Sequence, residues 1–188
     1  MKTILDFSGR MTGVHGICLG LRADWNDCLN LGGGERAMVS FLNVWELDSF
    51  ISLARRLGRS EDVEFYQHMR DTVAEVCETI LWDDAWYLRG FTKTGRPIGT
   101  QADKEGKSQL ESNAWEVLSG AAEKERAAKA LDSVRDHLFT DWGILLNEPA
   151  YTQPDDDIGF VTRVYPGLKE NSSVFSHSNP WVWAAECV

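Results

Sequence analysis

Several residue types are too scarce or too scattered to support whole classes of function. The four cysteines, Cys18, Cys28, Cys77 and Cys187, form neither a CxxC pair nor a Cys/His ligand spacing, so no structural metal site is expected and they read as reduced thiols of a cytoplasmic protein. Only five prolines occur in 188 residues, and no low-complexity tract or fixed-period repeat marks a linker, so residues 1–188 read as one unit. No apolar run is expected to span a bilayer, and Asp6 interrupts the N-terminus before a secretory signal could build. Positive charge is in deficit, with 19 Lys and Arg against 29 Asp and Glu, a net charge of −10 and no dense basic run. Nucleic acid and anionic membrane are therefore not expected as partners.

What remains is an ordinary globular composition, 43% hydrophobic and 26% charged. A chain of this length buries roughly two-thirds of its unfolded surface, enough for a core without staples. The unusual feature is aromatic: eight Trp and eight Phe, several Trp beside acids or amides, as in Asp24-Trp25-Asn26, Trp82-Asp83 and Asp141-Trp142. Some of these belong to the core. Others fit sugar binding, where an indole covers the C–H face of the ring and neighbouring acids and amides bind its hydroxyls.

The clearest periodicity follows Gly32-Gly33-Gly34, where Met38, Phe41, Leu42, Trp45, Phe50, Ile51 and Leu53 predict a buried helix closed by Gly58. Ser60 is expected to cap a second helix with a stripe of Tyr66, Met69, Val73, Val76, Cys77 and Ile80; the short link makes the pair antiparallel. Trp86 to Phe91 reads as a strand and Lys93 to Pro97 as a turn, together a short β-hairpin. Asn113–Leu118 and Lys124–Leu138 predict a second helical pair broken near Gly120. Residues 140–178 are irregular, and a loop that long is usually functional. Asn179-Pro180 then opens a last helix, expected from Pro180 to Val188, which stops within an apolar pattern as though the chain were cut. Antiparallel pairs alternating with long polar loops predict an all-α fold, a partial toroid whose rim loops build a cleft.

Polar chemistry concentrates in Gly20 to Asn30, Gln109 to Trp115 and Lys169 to Trp181. Asp24 and Asp27, separated by Trp25 and Asn26, fit an Asx-rich turn before a helix. They also fit a glycosidic site, where a carboxylic acid protonates the leaving oxygen; burial against an indole would raise its pKa toward neutrality. Gly32 to Gly34 lack the Lys-Ser/Thr of a phosphate loop, and Asp155 to Asp157 lack the alternating ligands of a calcium loop and read as solvated. His177 precedes the last helix, so its ring and the amides of Trp181 and Val182 outline an anion site, with Arg163, Lys169 and Glu170 nearby in sequence. A histidine satisfying a loop carbonyl would carry the same residues.

Four segments together carry a family resemblance: Gly20 to Glu35, Leu110-Glu111-Ser112-Asn113-Ala114-Trp115, Asp156 to Arg163, and Lys169-Glu170-Asn171 through Phe175-Ser176-His177-Ser178-Asn179-Pro180-Trp181. In this order they closely resemble glycoside hydrolase family 94, and within it the cellobiose phosphorylase group. The resemblance implies an (α/α)6 toroidal catalytic domain and inverting phosphorolysis of a β-linked disaccharide to a sugar 1-phosphate and a free sugar. It implies Asp27 as general acid, Trp25 lining the donor sugar site, Glu170 binding sugar near the scissile bond and His177 contacting phosphate. Inorganic phosphate is then co-substrate and no cofactor or metal is implied. Phosphate is already an anionic nucleophile, so a base to activate water is not required. Family members are several times longer and commonly homodimeric, so this chain is expected to be a piece with exposed apolar helix faces and little activity alone. Arg36 departs from a common serine, Ser172-Ser173 from glycine or alanine, and Val174 from an aromatic beside the acceptor. Two rivals remain: an inverting hydrolase with Asp24 activating water, and a non-catalytic helical carbohydrate-binding module.

Overall fold

The computed structural model describes residues 1–21 and 24–188; Arg22 and Ala23 of the first motif lie outside the described residues. Helices dominate: α1 (Lys2–Arg10), α2 (Ala37–Arg56), α3 (Ser60–Ile80), α4 (Leu110–Ser119), α5 (Lys124–Leu138) and α6 (Asn179–Ala185). Strands β1 (Glu35–Arg36), β2 (Gly90–Phe91), β3 (Pro97–Ile98), β4 (Ser108–Gln109), β5 (Phe139–Thr140), β6 (Gly143–Ile144) and β7 (Asn147–Glu148) are two residues each. They pair antiparallel as β1-β2-β3, β4-β7 and β5-β6. These ladders pin loop ends to helix starts; the expected hairpin is the β2-β3 part of the first. Close approach requires Gly34 there, because a Cβ would run into the Phe91 carbonyl and lie 2.8 Å from the Lys93 nitrogen.

The helix α2 is the centre of the fold because its apolar residues recur around most of its surface. Phe41 and Val44 meet Val73, Ala74 and Cys77 of α3, while Leu47, Phe50, Ile51 and Ala54 meet Leu5 and Tyr66. This makes α2 long and apolar enough to cross a membrane by length and composition, against the expectation of no such run. Packing accounts for it: α1, α3 and α4 flank the helix, and it carries Glu46, Asp48, Arg55 and Arg56. The N-terminal α1 has no counterpart in the sequence expectations, since one buried residue, Leu5, is too little pattern to announce it.

The boundaries moved where side chains found tertiary partners. Ser60 is the first helical residue of α3 rather than its cap, and Glu61 and Asp62 supply the favourable charge in the first turn. The start of α4 lies at Leu110, not Asn113, because Asn113 accepts from the Tyr87 amide at 2.8 Å and donates to the Gln109 carbonyl at 2.7 Å. The last helix stops at Ala185 instead of Val188, and Asn179 does not cap it. Its amide clamps Ile144 of β6 through bonds of 2.9 and 2.8 Å, packing α6 against α4. The apolar side chains Trp45, Leu53, Phe65 and Trp183 stand exposed on the helices.

One buried acid makes stability depend on pH. Glu116 is 0% exposed with both carboxyl oxygens unpartnered among the described residues, and burial, then Glu78, pushes its pKa up to about 9 from 4.5. The folded state thus holds a proton that the unfolded state has released between these values, so stability falls as pH rises through that window. Glu116→Gln, which needs no proton, should gain about 3 kcal/mol over the native chain between pH 4.5 and 7. Urea melts at the two pH values check this; a difference independent of pH would refute it.

Candidate active site

The loop between Asp24 and β1 is built by its own short polar side chains. Asp24 accepts from the Asn26 amide at 3.0 Å, Asn26 accepts from Cys28 and Leu29 at 3.1 and 3.0 Å, and Asn30 accepts from Gly32 at 2.9 Å. The Asx-turn reading of this segment is therefore correct as local chemistry. Tertiary structure adds a second layer. The Asp24 carboxylate is 1% exposed and lies 2.9 Å from Arg36 Nε and 2.5 Å from Arg89 Nη2. Arg89 Nε is also 3.9 Å from Glu111 Oε2, so two acids and two guanidiniums share one buried, charge-balanced cluster. Burial works against the charged Arg89, but Asp24 and Glu111 outweigh it and raise its pKa. Burial, with repulsion from Arg89 added, lowers Arg36 to about 10 against the pull of Asp24. Burial raises Glu111 despite Arg89.

The other side of the loop rests on the segment 155–163. Asn30 and Leu31 donate to the Ile158 carbonyl at 3.1 and 3.0 Å, and Val161 donates to the Cys28 carbonyl at 2.7 Å. Beneath these bonds Cys28, Leu29, Leu31, Ile98, Tyr151, Ile158 and Val161 form an apolar floor. Gly159, at φ 122°, fits where a Cβ would come within 3.0 Å of Cys28 O and Asn30 N. Asp155 is a turn builder, accepting from Asp157 and Ile158 at 3.0 and 3.3 Å and pairing with Arg96 at 2.7 Å. Among the described residues no group of three His, Cys, Asp or Glu side chains could hold a metal ion.

The third segment meets the loop through aromatic rings. Trp25 Nε1 donates to His177 Nδ1 at 3.1 Å, and the indole stands edge-on to Trp181 at 4.8 Å and to Phe175 at 5.4 Å. Trp181 continues the contact to Trp115 of α4 at 5.6 Å. Glu170 is 8% exposed beside Cys28, and its Oε2 has no partner among the described residues. Burial, then the neighbouring Glu170, raises the Cys28 thiol to about 11, so it stays protonated at neutral pH. An orphaned buried carboxylate oxygen beside the loop is suited to accept from a ligand hydroxyl.

The structure thus joins Trp25 to His177 and sets Glu170 against Cys28, the neighbour of Asp27. Three details correct the sequence reading. Asp27 is exposed, so the burial expected around the acid is not supplied by the described residues. The Trp181 amide, one of the two expected beside His177 in an anion cradle, is taken by the Ser178 carbonyl at 3.0 Å, and seven-residue α6 is too short for a strong dipole. Arg163, near His177 in sequence, spends its charge on Asp156 at 2.7 Å. Sequence reasoning missed Arg89 altogether; the available signal was a single charge inside the apolar run Trp86 to Phe91.

The family model for the glycosyl hydrolase 94 superfamily, catalytic domain, matches residues 1–188. The chain is 58% identical to N,N'-diacetylchitobiose phosphorylase of Vibrio proteolyticus and 56% identical to that of Vibrio furnissii, in each case over 99% of this chain and 24% of the relative. It is 34% identical to 3-O-beta-D-glucopyranosyl-beta-D-glucuronide phosphorylase of Paenibacillus borealis, over 97% of this chain and 24% of that protein. The chain therefore spans about a quarter of the length of these relatives. Matched along its whole length by that model, the chain belongs to the glycosyl hydrolase 94 superfamily.

Proposed function

We propose that this chain is part of an (α/α)6 toroidal catalytic domain that performs inverting phosphorolysis of a β-linked disaccharide, with inorganic phosphate as co-substrate and no cofactor. Asp27 donates the proton to the leaving oxygen, Trp25 and Glu170 hold sugar, and His177 contacts phosphate. Identity of 58% to a diacetylchitobiose phosphorylase favours N,N'-diacetylchitobiose over cellobiose as the disaccharide. The observation that carries the reaction class is the locking of Asp24 between Arg36 and Arg89. The inverting-hydrolase rival requires Asp24 to activate a water, and a carboxylate 1% exposed with both oxygens against guanidiniums is shut off from water. One exposed carboxylate in the loop suits a reaction whose nucleophile arrives already charged. A homodimeric, cytoplasmic enzyme is the setting that fits this reading.

The test is phosphate release in the synthetic direction by the chain within its natural polypeptide. N-acetylglucosamine 1-phosphate with N-acetylglucosamine should release phosphate faster than glucose 1-phosphate with glucose. No release from either pair, or phosphate-independent cleavage of the disaccharide to two free sugars, would sink the reading. The non-catalytic module predicts tight sugar binding without turnover.

A further inference from the structure

We propose that Trp25 is a positioning residue that fixes the ring tautomer of His177. The inference rests, for its functional meaning, on the reading of His177 as the phosphate contact. An indole N–H donates and cannot accept, so the imidazole nitrogen opposite it must present a lone pair. That nitrogen is Nδ1, 3.1 Å from Trp25 Nε1. A neutral imidazole carries one proton, and with Nδ1 accepting, the proton resides on Nε2. No acceptor contacts Nε2 among the described residues, and His177 is exposed, so this N–H is available to donate to an anion oxygen. The other tautomer would place a lone pair there, which repels phosphate.

Both rings are held for this task. Trp25 is wedged edge-on against Phe175 and Trp181, at 5.4 and 4.8 Å, and its backbone sits in the Asx turn where Asp24 accepts from the Asn26 amide. His177 lies 5.4 Å from the Trp181 ring in a tight turn closed by the Ser178 amide and hydroxyl on the Phe175 carbonyl, at 3.1 and 3.0 Å. One side chain therefore ties the loop bearing Asp27 to the Nδ1 edge of His177 and leaves the Nε2 edge for a ligand. A sugar contact alone gives no reason for the indole N–H to be spent on a histidine.

Nitrogen NMR of protein labelled with 15N-histidine, in phosphate-free buffer above pH 8, tests the assignment, with His177→Gln identifying the signals. The proposal expects an unprotonated Nδ1 and a protonated Nε2, and a through-bond coupling from 15N-labelled Trp25 Nε1 to His177 Nδ1. In Trp25→Phe the two nitrogen signals should move toward each other as tautomers mix, and the phosphate dissociation constant should rise roughly three- to tenfold, the equivalent of one lost hydrogen bond. A proton on Nδ1 in the native chain overturns the proposal, as do Trp25→Phe signals identical to native. If Trp25→Phe fails to fold, the native tautomer and the coupling decide. Should the tautomer be as proposed while inorganic phosphate shifts neither nitrogen, the phosphate reading of His177 fails and the role of Trp25 stands.

Discussion

Asp27→Asn is expected to lower phosphorolysis by about 10²- to 10⁴-fold, the range general acid catalysis supplies, while leaving the melting temperature nearly unchanged. The amide keeps the shape of the carboxyl but has no proton of suitable acidity for the leaving sugar oxygen. Because Asp27 is exposed and the loop around it is shaped by Asp24, Asn26 and Asn30, its removal costs the fold little. A disaccharide analogue with an activated aryl leaving group needs less protonation, so its cleavage should fall much less. Steady-state rates for both substrates, with a thermal melt of each protein, provide the check. Native rates in Asp27→Asn would remove Asp27 from the mechanism; a collapse in melting temperature would make the rate loss uninterpretable and contradict the placement of Asp27 on the surface.

The opposite pattern is expected one turn away. Asp24→Asn should destabilise the fold by about 3–5 kcal/mol, because it removes the acid between two guanidiniums that stay buried. For a chain of this size that is a fall in melting temperature of roughly 6–20 °C. Glu111→Gln should cost much less, since Glu111 stands 3.9 Å from Arg89, both its oxygens lack hydrogen-bond partners among the described residues, and burial already raises its pKa. Denaturant melts of the two variants test the ranking. Equal losses would mean that the cluster shares its charge evenly, contrary to the distances. Loss of activity in Asp24→Asn is expected to follow the loss of folded protein, whereas Asp27→Asn separates the two.

The extent to which this site was legible depended on which residues carried each signal. Local rules reached the helical pairs, because apolar spacing in α2 and α3 and glycine at 58 and 120 are properties of neighbours in the chain. Local rules failed at α1, where one buried leucine faces α2, and at the starts of α4 and α6, where Asn113 and Asn179 have the residue type of a cap but spend their amides on Tyr87 and Ile144. The candidate site residues Trp25, Asp27, Glu170 and His177 rest on four motifs in a fixed order that resemble one family. Their grouping was not reachable from composition, since Trp25 and His177 lie 152 residues apart.

The sequence by itself determined the all-α class, the family and the identity of the polar residues, because each is written in residue types at short spacing or in long ordered motifs. Tertiary structure alone decided which carboxylate is free. Asp24 and Asp27 are indistinguishable as neighbours in a loop, and they differ only because Arg36 and Arg89 approach one of them and not the other. The same holds for the ring of His177, whose donor edge is set by an indole from the far end of the chain. Charge and protonation depend on what surrounds a group in space, and that surrounding is assembled by segments the chain order keeps apart.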